Sequence, residues 1–239
     1  PAVAVDSAST PAALRSLLRN VRTVKGLRRI LLVVGGPWWL SLEARRLLGG
    51  VADALADAVF FTTCDAGPCF PDRMVADLVA GLHPAARTWA DGLGMEALQD
   101  PHRLPVAAER YVHVLQSELQ RYVVEERGLA IRVAVAMAQP GDLVLVVGKG
   151  HMDWQEVGDG DALGETHLAR FDDAAECRSA MRALAKMPEE FKDMDRRFMP
   201  WIPKFEKRPF TMESGSFLSH LKQIHDDPAW VARVMQDDV

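Results

Sequence analysis

The chain has 239 residues, of which 49% are hydrophobic and 26% are charged, and its net charge is −5. This balance is typical of a soluble globular protein and excludes a chain that is disordered throughout. Because no apolar run reaches the ~18 residues that a spanning helix needs, we expect no membrane span. The overall negative charge argues against direct nucleic-acid binding. Three cysteines are too few for a disulfide framework and favour an intracellular, reducing compartment.

Helical and strand patterns alternate along the first 186 residues. Thr10 is a good N-cap and Pro11 suits a first helical turn, so a helix is predicted from there to Val21. Short runs rich in Val, Ile and Leu predict buried strands at 29–34, 58–63, 122–125 and 143–147. Further helices are predicted at 42–55, 71–82, 130–138 and 171–184. The alternation indicates parallel βαβ units and a three-layer α/β domain with a mostly parallel sheet.

Ligands of such sheets bind beyond the carboxyl ends of the strands. The predicted ends are Gly35–Gly36, the segment 63–67 and the segment 148–151. The last of these closes the strongest predicted strand with the turn Gly-Lys-Gly-His. We therefore expect any ligand site at this edge of the sheet.

The run PGDLVLVVGKGH at 140–151, preceded by Arg-Gly-Leu-Ala-Ile at 127–131, carries a family pattern. It resembles the C-terminal domain of the Mur ligases, most of all the MurE type, which adds the third amino acid to the UDP-MurNAc peptide. That pattern is R-x-x-A-I, a helix, and then P-G-D-x-V-L-x-A-G-K-G-H-E. The resemblance implies a Rossmann-like domain over residues 1–186. Weaker matches lie at 5–11, 30–36, 58–65 and in the Phe-Asp-Asp of 171–173.

Several substrate-side features of the family are replaced in this chain. Ser7 and Ser9 stand where the family has Tyr and His, and Pro-Trp-Trp-Leu at 37–40 replaces a charged segment that faces phosphate. The family's D-N-P-R box, whose Arg clamps the carboxylate of the incoming amino acid, is Asp-Ala-Gly-Pro at 65–68. Neither Gly nor Pro can replace a bidentate Arg. Met152 stands where the family has Glu after G-K-G-H.

The sequence also contains no G-x-x-x-x-G-K-[ST] loop, which the central domain of the family uses to bind ATP. We therefore expect no catalytic residue and no cofactor in this chain. Lys149, His151 and Asp65 are the candidate residues of a vestigial ligand site. The alternative is structural: the Gly-Lys-Gly-His turn persists for its glycines while His151 bonds the backbone, and Asp65 caps the following turn.

The other candidates have a structural interpretation that we favour. Trp38 and Trp39 could stack on a ligand, but core packing or a partner contact is the preferred interpretation. No metal site is expected, because one C-x₄-C pair without a second pair is weak and buried free thiols explain it better. The residues concerned are Cys64, Cys69 and Cys177. The histidines without ligand spacing are His83, His102 and His113.

Residues 187–239 differ in composition from the predicted domain and are expected to form a separate C-terminal extension. They hold five prolines and seven of the 17 aromatic residues of the chain. Such a segment is too aromatic to stay free of contacts and too short for a core of its own. We expect an extended arm on a neighbouring protein subunit, although it could instead wrap over its own domain. The expected interface residues are Phe198, Trp201, Phe205 and Phe210.

Three functions remain open from the sequence, of which the third is a small-molecule sensor that uses the old ligand cleft. The first is a non-catalytic, Mur-ligase-like subunit of a larger complex, for which the resemblance offers a precedent: plant plastids hold such proteins as accessory subunits of the transcription complex. The second is the amino-acid-binding part of an ATP-dependent amide ligase whose ATP-binding domain lies elsewhere. The chain begins at Pro1, so either an upstream segment was removed or it is part of a longer product. A plastid or another organelle is the expected location, and the cytoplasm is the alternative.

Overall fold

The computed structural model describes residues 1–69, 71–82, 113–116, 119–124, 126–158 and 165–186. The strands in chain order are β1 (Ala2–Asp6), β2 (Ile30–Val34), β3 (Ala58–Phe61), β4 (His113–Gln116), β5 (Arg121–Val123), β6 (Leu143–Val147), β7 (Trp154–Gly158) and β8 (Thr166–Arg170). The helices are α1 (Pro11–Val21), α2 (Leu42–Leu55), α3 (Pro71–Val79), α4 (Arg127–Met137) and α5 (Asp173–Ala185).

Six strands form one sheet in the order β1-β6-β2-β3-β5-β4. All neighbouring pairs are parallel except β4 and β5, which are antiparallel at one edge. The predicted α/β fold with a mostly parallel sheet is confirmed. Strands β7 and β8 pair separately as an antiparallel hairpin.

The helices cover both faces of the sheet. Ile30, Leu32 and Val34 of β2 point to the face that α1, α2 and α3 cover. Leu31 and Val33 point to the opposite face, which α4 and α5 cover. All five residues are fully buried, since successive side chains of a strand face opposite sides and both sides are covered.

Side-chain caps fix the starts of the helices. The Thr10 hydroxyl accepts a bond from the backbone N–H of Ala13 at 3.3 Å, so the cap predicted for α1 is confirmed. The Glu126 carboxylate accepts from the N–H of Leu129 at 2.7 Å and starts α4 three residues before the predicted position. The sequence pattern missed this start because the first ten residues of α4 are all buried and show no polar face.

Three predictions about the elements were incomplete. The sequence patterns predicted neither the edge strands β1 and β4 nor the hairpin of β7 and β8. Predicted strand 58–63 ends at Phe61, and predicted helix 71–82 ends at Val79.

Among the described helices, none combines the length and the hydropathy that crossing a bilayer would require.

Candidate ligand site at the carboxyl ends of the strands

The loops that follow β1, β2, β3 and β6 meet at the carboxyl edge of the sheet. A Cβ atom on Gly35 would lie 2.7 Å from the Cβ of Cys64, so the loops after β2 and β3 touch through their backbones. A Cβ atom on Gly150 would lie 2.8 Å from the Cβ of Ser7, which brings the loop after β6 against the end of β1. The strand ends therefore lie together at one edge, as predicted. Gly35 and Gly150 permit this close approach because they have no Cβ atom.

Lys149 lies inside the protein, with only 1% of its surface exposed. Its ammonium group donates a hydrogen bond to the carbonyl oxygen of Trp154 and lies 5.8 Å from the centre of the Phe171 ring. Burial lowers the pKa of Lys149, and the neighbouring Cys64 and Asp173 offset part of that effect. The side chain thus joins the turn after β6 to the start of β7 and to the residue that follows β8.

His151 and Asp65 are both less buried than Lys149. His151 is exposed. Asp65 is partly buried, and its carboxylate accepts a hydrogen bond from the backbone N–H of Glu156 at 2.5 Å. Its carbonyl accepts from the N–H of Trp38 at 2.8 Å. Asp65 therefore ties the end of β3 to β7, which differs from the structural alternative of a cap on the turn that follows it.

A buried ion pair between Arg127 and Asp173 stabilises the carboxyl edge of the sheet. The guanidinium of Arg127 binds the Asp173 carboxylate at two points, with Nε–Oδ1 at 2.8 Å and Nη2–Oδ2 at 2.7 Å. The same Nη2 also donates to the carbonyl of Val147 at 2.8 Å. Burial alone would lower the pKa of Arg127, but its pKa is raised on balance because Asp173 stabilises the charge.

The residues of this ion pair belong to two segments that carry the family resemblance, R-x-x-A-I and Phe-Asp-Asp. Sequence patterns did not pair them, because 46 residues separate Arg127 from Asp173. One sequence signal could have identified this pair. It is a basic and an acidic residue, each placed in a segment that is otherwise apolar or that caps a helix. Their position ties the end of β6 to the start of α5.

Trp38 anchors the loop that follows β2 to Gly67 and to Glu156 of β7. The indole Nε1 donates to a carboxylate oxygen of Glu156 at 3.1 Å. A Cβ atom on Gly67 would lie 2.6 Å from that same Nε1, so the indole rests directly on the Gly67 backbone. The N–H of Gly67 in turn donates to the carbonyl of Glu156 at 2.8 Å. Trp38 is therefore packed, whereas the neighbouring Trp39 is 54% exposed.

Glu156 is a residue of this edge that sequence reasoning missed. One carboxylate oxygen accepts from Trp38 and the other accepts from the Thr166 hydroxyl at 2.6 Å. Glu156 thus links the loop after β2 to both strands of the hairpin. Its local sequence offers no motif, and only the pairing of β7 with β8 reveals the role.

The three cysteines are free thiols, with Cys64 and Cys177 buried and Cys69 partly buried. Burial raises the pKa of Cys64, and it raises the pKa of Cys177 to about 12. Among the described residues, no group of three or more His, Cys, Asp or Glu side chains could hold a metal ion. The expected interface residues, together with His83 and His102, lie outside the described residues.

Residues 1–150 match the family model described as the Mur ligase, glutamate ligase domain. The chain belongs to this family, the Mur ligase C-terminal domains. A UDP-N-acetylmuramoyl-L-alanyl-D-glutamate–2,6-diaminopimelate ligase of Synechococcus sp. (strain WH7803) is 33% identical over 183 residues, which are 76% of this chain and 28% of the relative. The chloroplastic MurE homolog of Zea mays is 31% identical over 199 residues, which are 83% of this chain and 23% of that protein.

A solved structure of a ligase with the same diaminopimelate-adding name supports the fold. It matches with a TM-score of 0.56 at 24% identity, over 77% of this chain and 30% of that chain. This Mur ligase C-terminal domain spans less than a third of the length of the relatives it matches. The resemblance to the MurE type that the sequence motifs suggested is confirmed.

Proposed function

We propose that this chain is a non-catalytic Mur-ligase-like domain that acts as a structural or accessory subunit of a larger complex. The observation that carries the proposal is the contact of Trp38 with Gly67. By resemblance, the segment 65–68 is the box whose Arg clamps the carboxylate of the incoming amino acid. In this chain an indole lies on the backbone of that segment, and Glu156 holds the indole in place.

The charges at this edge also disfavour an amino-acid substrate. Because the family's Arg is absent, the carboxylate of an amino acid has no bidentate partner here. Neither a lysine nor a backbone group reproduces that bidentate geometry. Met152 offers a neutral thioether where the family has a Glu that could pair with an ammonium group. The ammonium group of Lys149 is already bonded to the carbonyl of Trp154.

Calorimetric titration tests this proposal. Diaminopimelate and lysine should show no saturable binding tighter than about 1 mM, which corresponds to about 4 kcal/mol. The Synechococcus diaminopimelate ligase, titrated under the same conditions, is the positive control. Saturable binding by this chain below that concentration would contradict the proposal.

The proposal also predicts how the chain behaves toward ATP and cofactors. The purified chain should need no cofactor and should not hydrolyse ATP, because it contains no G-K-[ST] loop. ATP turnover that survives stringent purification and disappears in Lys149→Ala would refute this part.

A second candidate is the amino-acid-binding part of an ATP-dependent amide ligase whose ATP-binding domain lies elsewhere. It is favoured by the intact Gly-Lys-Gly-His turn at 148–151. The complete reading frame upstream of Pro1 discriminates the two candidates. A G-K-[ST] loop there favours the ligase, and its absence favours the accessory subunit.

Residues 187–239 supply the contact with other subunits in this proposal, with Trp201 as an anchor. Aromatic side chains between prolines dock with little loss of conformational entropy. A chain truncated after Lys186 should stay folded and no longer enter its native complex, as size-exclusion chromatography of cell extracts would measure. If the truncated chain unfolds while the intact chain is a stable monomer, the extension belongs to the domain core instead.

The proposed location is a plastid. The chain is similar to chloroplastic MurE homologs of Zea mays and Arabidopsis thaliana, at 31% and 28% identity. Cyanobacterial ligases are similar to the same degree, so the cytoplasm of a bacterium is the alternative. A fluorescent fusion of the complete gene product in its own cells would distinguish the two.

A further inference from the structure

A basic surface runs along α1 and continues through the loop that leads from α1 into β2 at the amino edge of the sheet. The segment 15–29 holds six basic residues and no acidic residue, in a chain whose net charge is −5. Its side chains at positions 15, 19 and 22 recur at helical spacing, so they follow one face of α1 as far as its C-cap residue, Arg22. The loop from α1 into β2 extends the charge. We define the basic surface by its exposed members, Arg15, Arg19, Arg22, Lys25 and Arg28.

Most of this charge is not neutralised within the described part of the chain. Arg22 forms an ion pair with Asp57 at 2.7 Å. The other four members of the basic surface form no ion pair with a described residue. Nearby Asp142 is paired with Arg29 at 2.6 Å and also interacts electrostatically with Arg28. Like charges at i and i+4 on a helix repel, and a partner with the opposite charge would remove that cost.

We infer that the basic surface docks an acidic segment of a partner protein. This partner would belong to the complex proposed above, so the inference rests on the proposed function. Arginine forks pair with carboxylates in a bidentate geometry, and Arg15, Arg19 and the C-cap residue Arg22 span about 10 Å along the axis of α1. A helix with glutamates at i, i+4 and i+7 has the complementary spacing.

Two other polyanions fit the basic surface less well. A nucleic acid is a long polyanion that continues past the basic surface and meets the rest of a chain whose net charge is −5. The segment 15–29 also holds no aromatic residue on which a base could stack. An anionic membrane would need apolar groups to insert, and Val24 is the single large hydrophobic residue of that segment that is highly exposed.

Fluorescence anisotropy tests the inference on the full chain. The probe is a labelled helical peptide with glutamates at i, i+4 and i+7, and its glutamine analogue is the neutral control. At low ionic strength the glutamate peptide should bind, and Arg15→Glu with Arg19→Glu should weaken binding at least about tenfold. The neutral pair Arg15→Gln with Arg19→Gln should weaken it less but in the same direction. Circular dichroism verifies that each variant is folded.

A matched control is present on α5. Arg178 and Arg182 are also exposed and also four residues apart, so Arg178→Glu with Arg182→Glu makes the same change of net charge on another helix. That variant should bind the peptide as the natural chain does. Equal weakening by both double substitutions, or absence of peptide binding at low salt, would overturn the inference.

Tighter binding of a DNA duplex or of anionic vesicles, with the same dependence on Arg15 and Arg19, would also overturn it in favour of that partner. The test is separate from the test of the proposed function. A chain that bound diaminopimelate and still lost the peptide on charge reversal would refute the accessory role and leave the basic surface in place.

Discussion

Arg127 and Asp173 form a bidentate ion pair that is almost completely removed from solvent, with side-chain exposures of 2% and 0%. Each belongs to a segment that marks the family, and together they join the end of β6 to the start of α5. The turn that carries Lys149 follows β6 directly. The geometry of the candidate site therefore depends on this buried pair.

Replacing Asp173 with Asn should destabilise the protein by about 3–5 kcal/mol, because it leaves the Arg127 charge buried without its counterion. Urea denaturation followed by circular dichroism measures the free energy of unfolding. The control is Asp153→Asn, which breaks the exposed pair with Arg170 and should cost less than about 1 kcal/mol. Similar losses of unfolding free energy in the two variants would show that burial does not increase the contribution of the Arg127–Asp173 pair to stability.

Gly67→Ala should destabilise the protein by more than Gly26→Ala does. Both glycines have positive φ angles, +53° and +82°, so each substitution carries the strain of a left-handed backbone, about 1–2 kcal/mol. Only at Gly67 would the new Cβ also overlap the Trp38 indole, whereas nothing lies within 4 Å at Gly26. Thermal unfolding of both variants measures the difference.

The overlap is tested further by Gly67→Ala in a Trp38→Ala background. Removing the indole should bring the additional cost of Gly67→Ala close to that of Gly26→Ala. An unchanged cost in this background would mean that Trp38 does not rest on Gly67 in solution.

Lys149→Met should change the pH dependence of stability in a defined direction. Burial lowers the pKa of Lys149 below its ordinary value of 10.5. Between the lowered pKa and 10.5 the unfolded chain binds more protons than the folded one, so the contribution of Lys149 to stability rises with pH. The natural chain should therefore gain stability relative to Lys149→Met as the pH increases from neutral to about 10.

Denaturant unfolding of both proteins across this range measures the effect. Both proteins carry Cys64→Ser, because the Cys64 thiol is electrostatically coupled to Lys149. A difference that is constant with pH, or that changes in the opposite direction, would contradict a buried, destabilised ammonium group.

The thiols should differ in reactivity. Cys64 and Cys177 are buried with raised pKa values, so few of their thiolates are available at neutral pH. Ellman's reagent should react first with the partly exposed Cys69 and reach the other two only on unfolding. Cys69→Ser should abolish the fast phase. A fast phase that persists in this variant would show that a buried thiol is accessible.

The sequence by itself determined the α/β class, four of the strands, the five described helices and the family. These features have local signals, since the hydrophobic period, the cap at Thr10 and the Gly-Lys-Gly-His turn each occupy a few consecutive residues. It also located the carboxyl edge of the sheet. The start of α4 was misplaced because a helix buried on all sides has no polar face to mark it.

Only the tertiary structure decided what each residue does at that edge. Trp38 and Glu156 are 118 residues apart, and Arg127 and Asp173 are 46 apart. Their partners are set by which loops the sheet order brings together. Lys149 is placed inside the protein by the hairpin of β7 and β8, whose strands carry no strong period in the sequence. Local patterns report backbone preference and burial, whereas these contacts depend on non-local packing, which a single sequence does not encode in any short window.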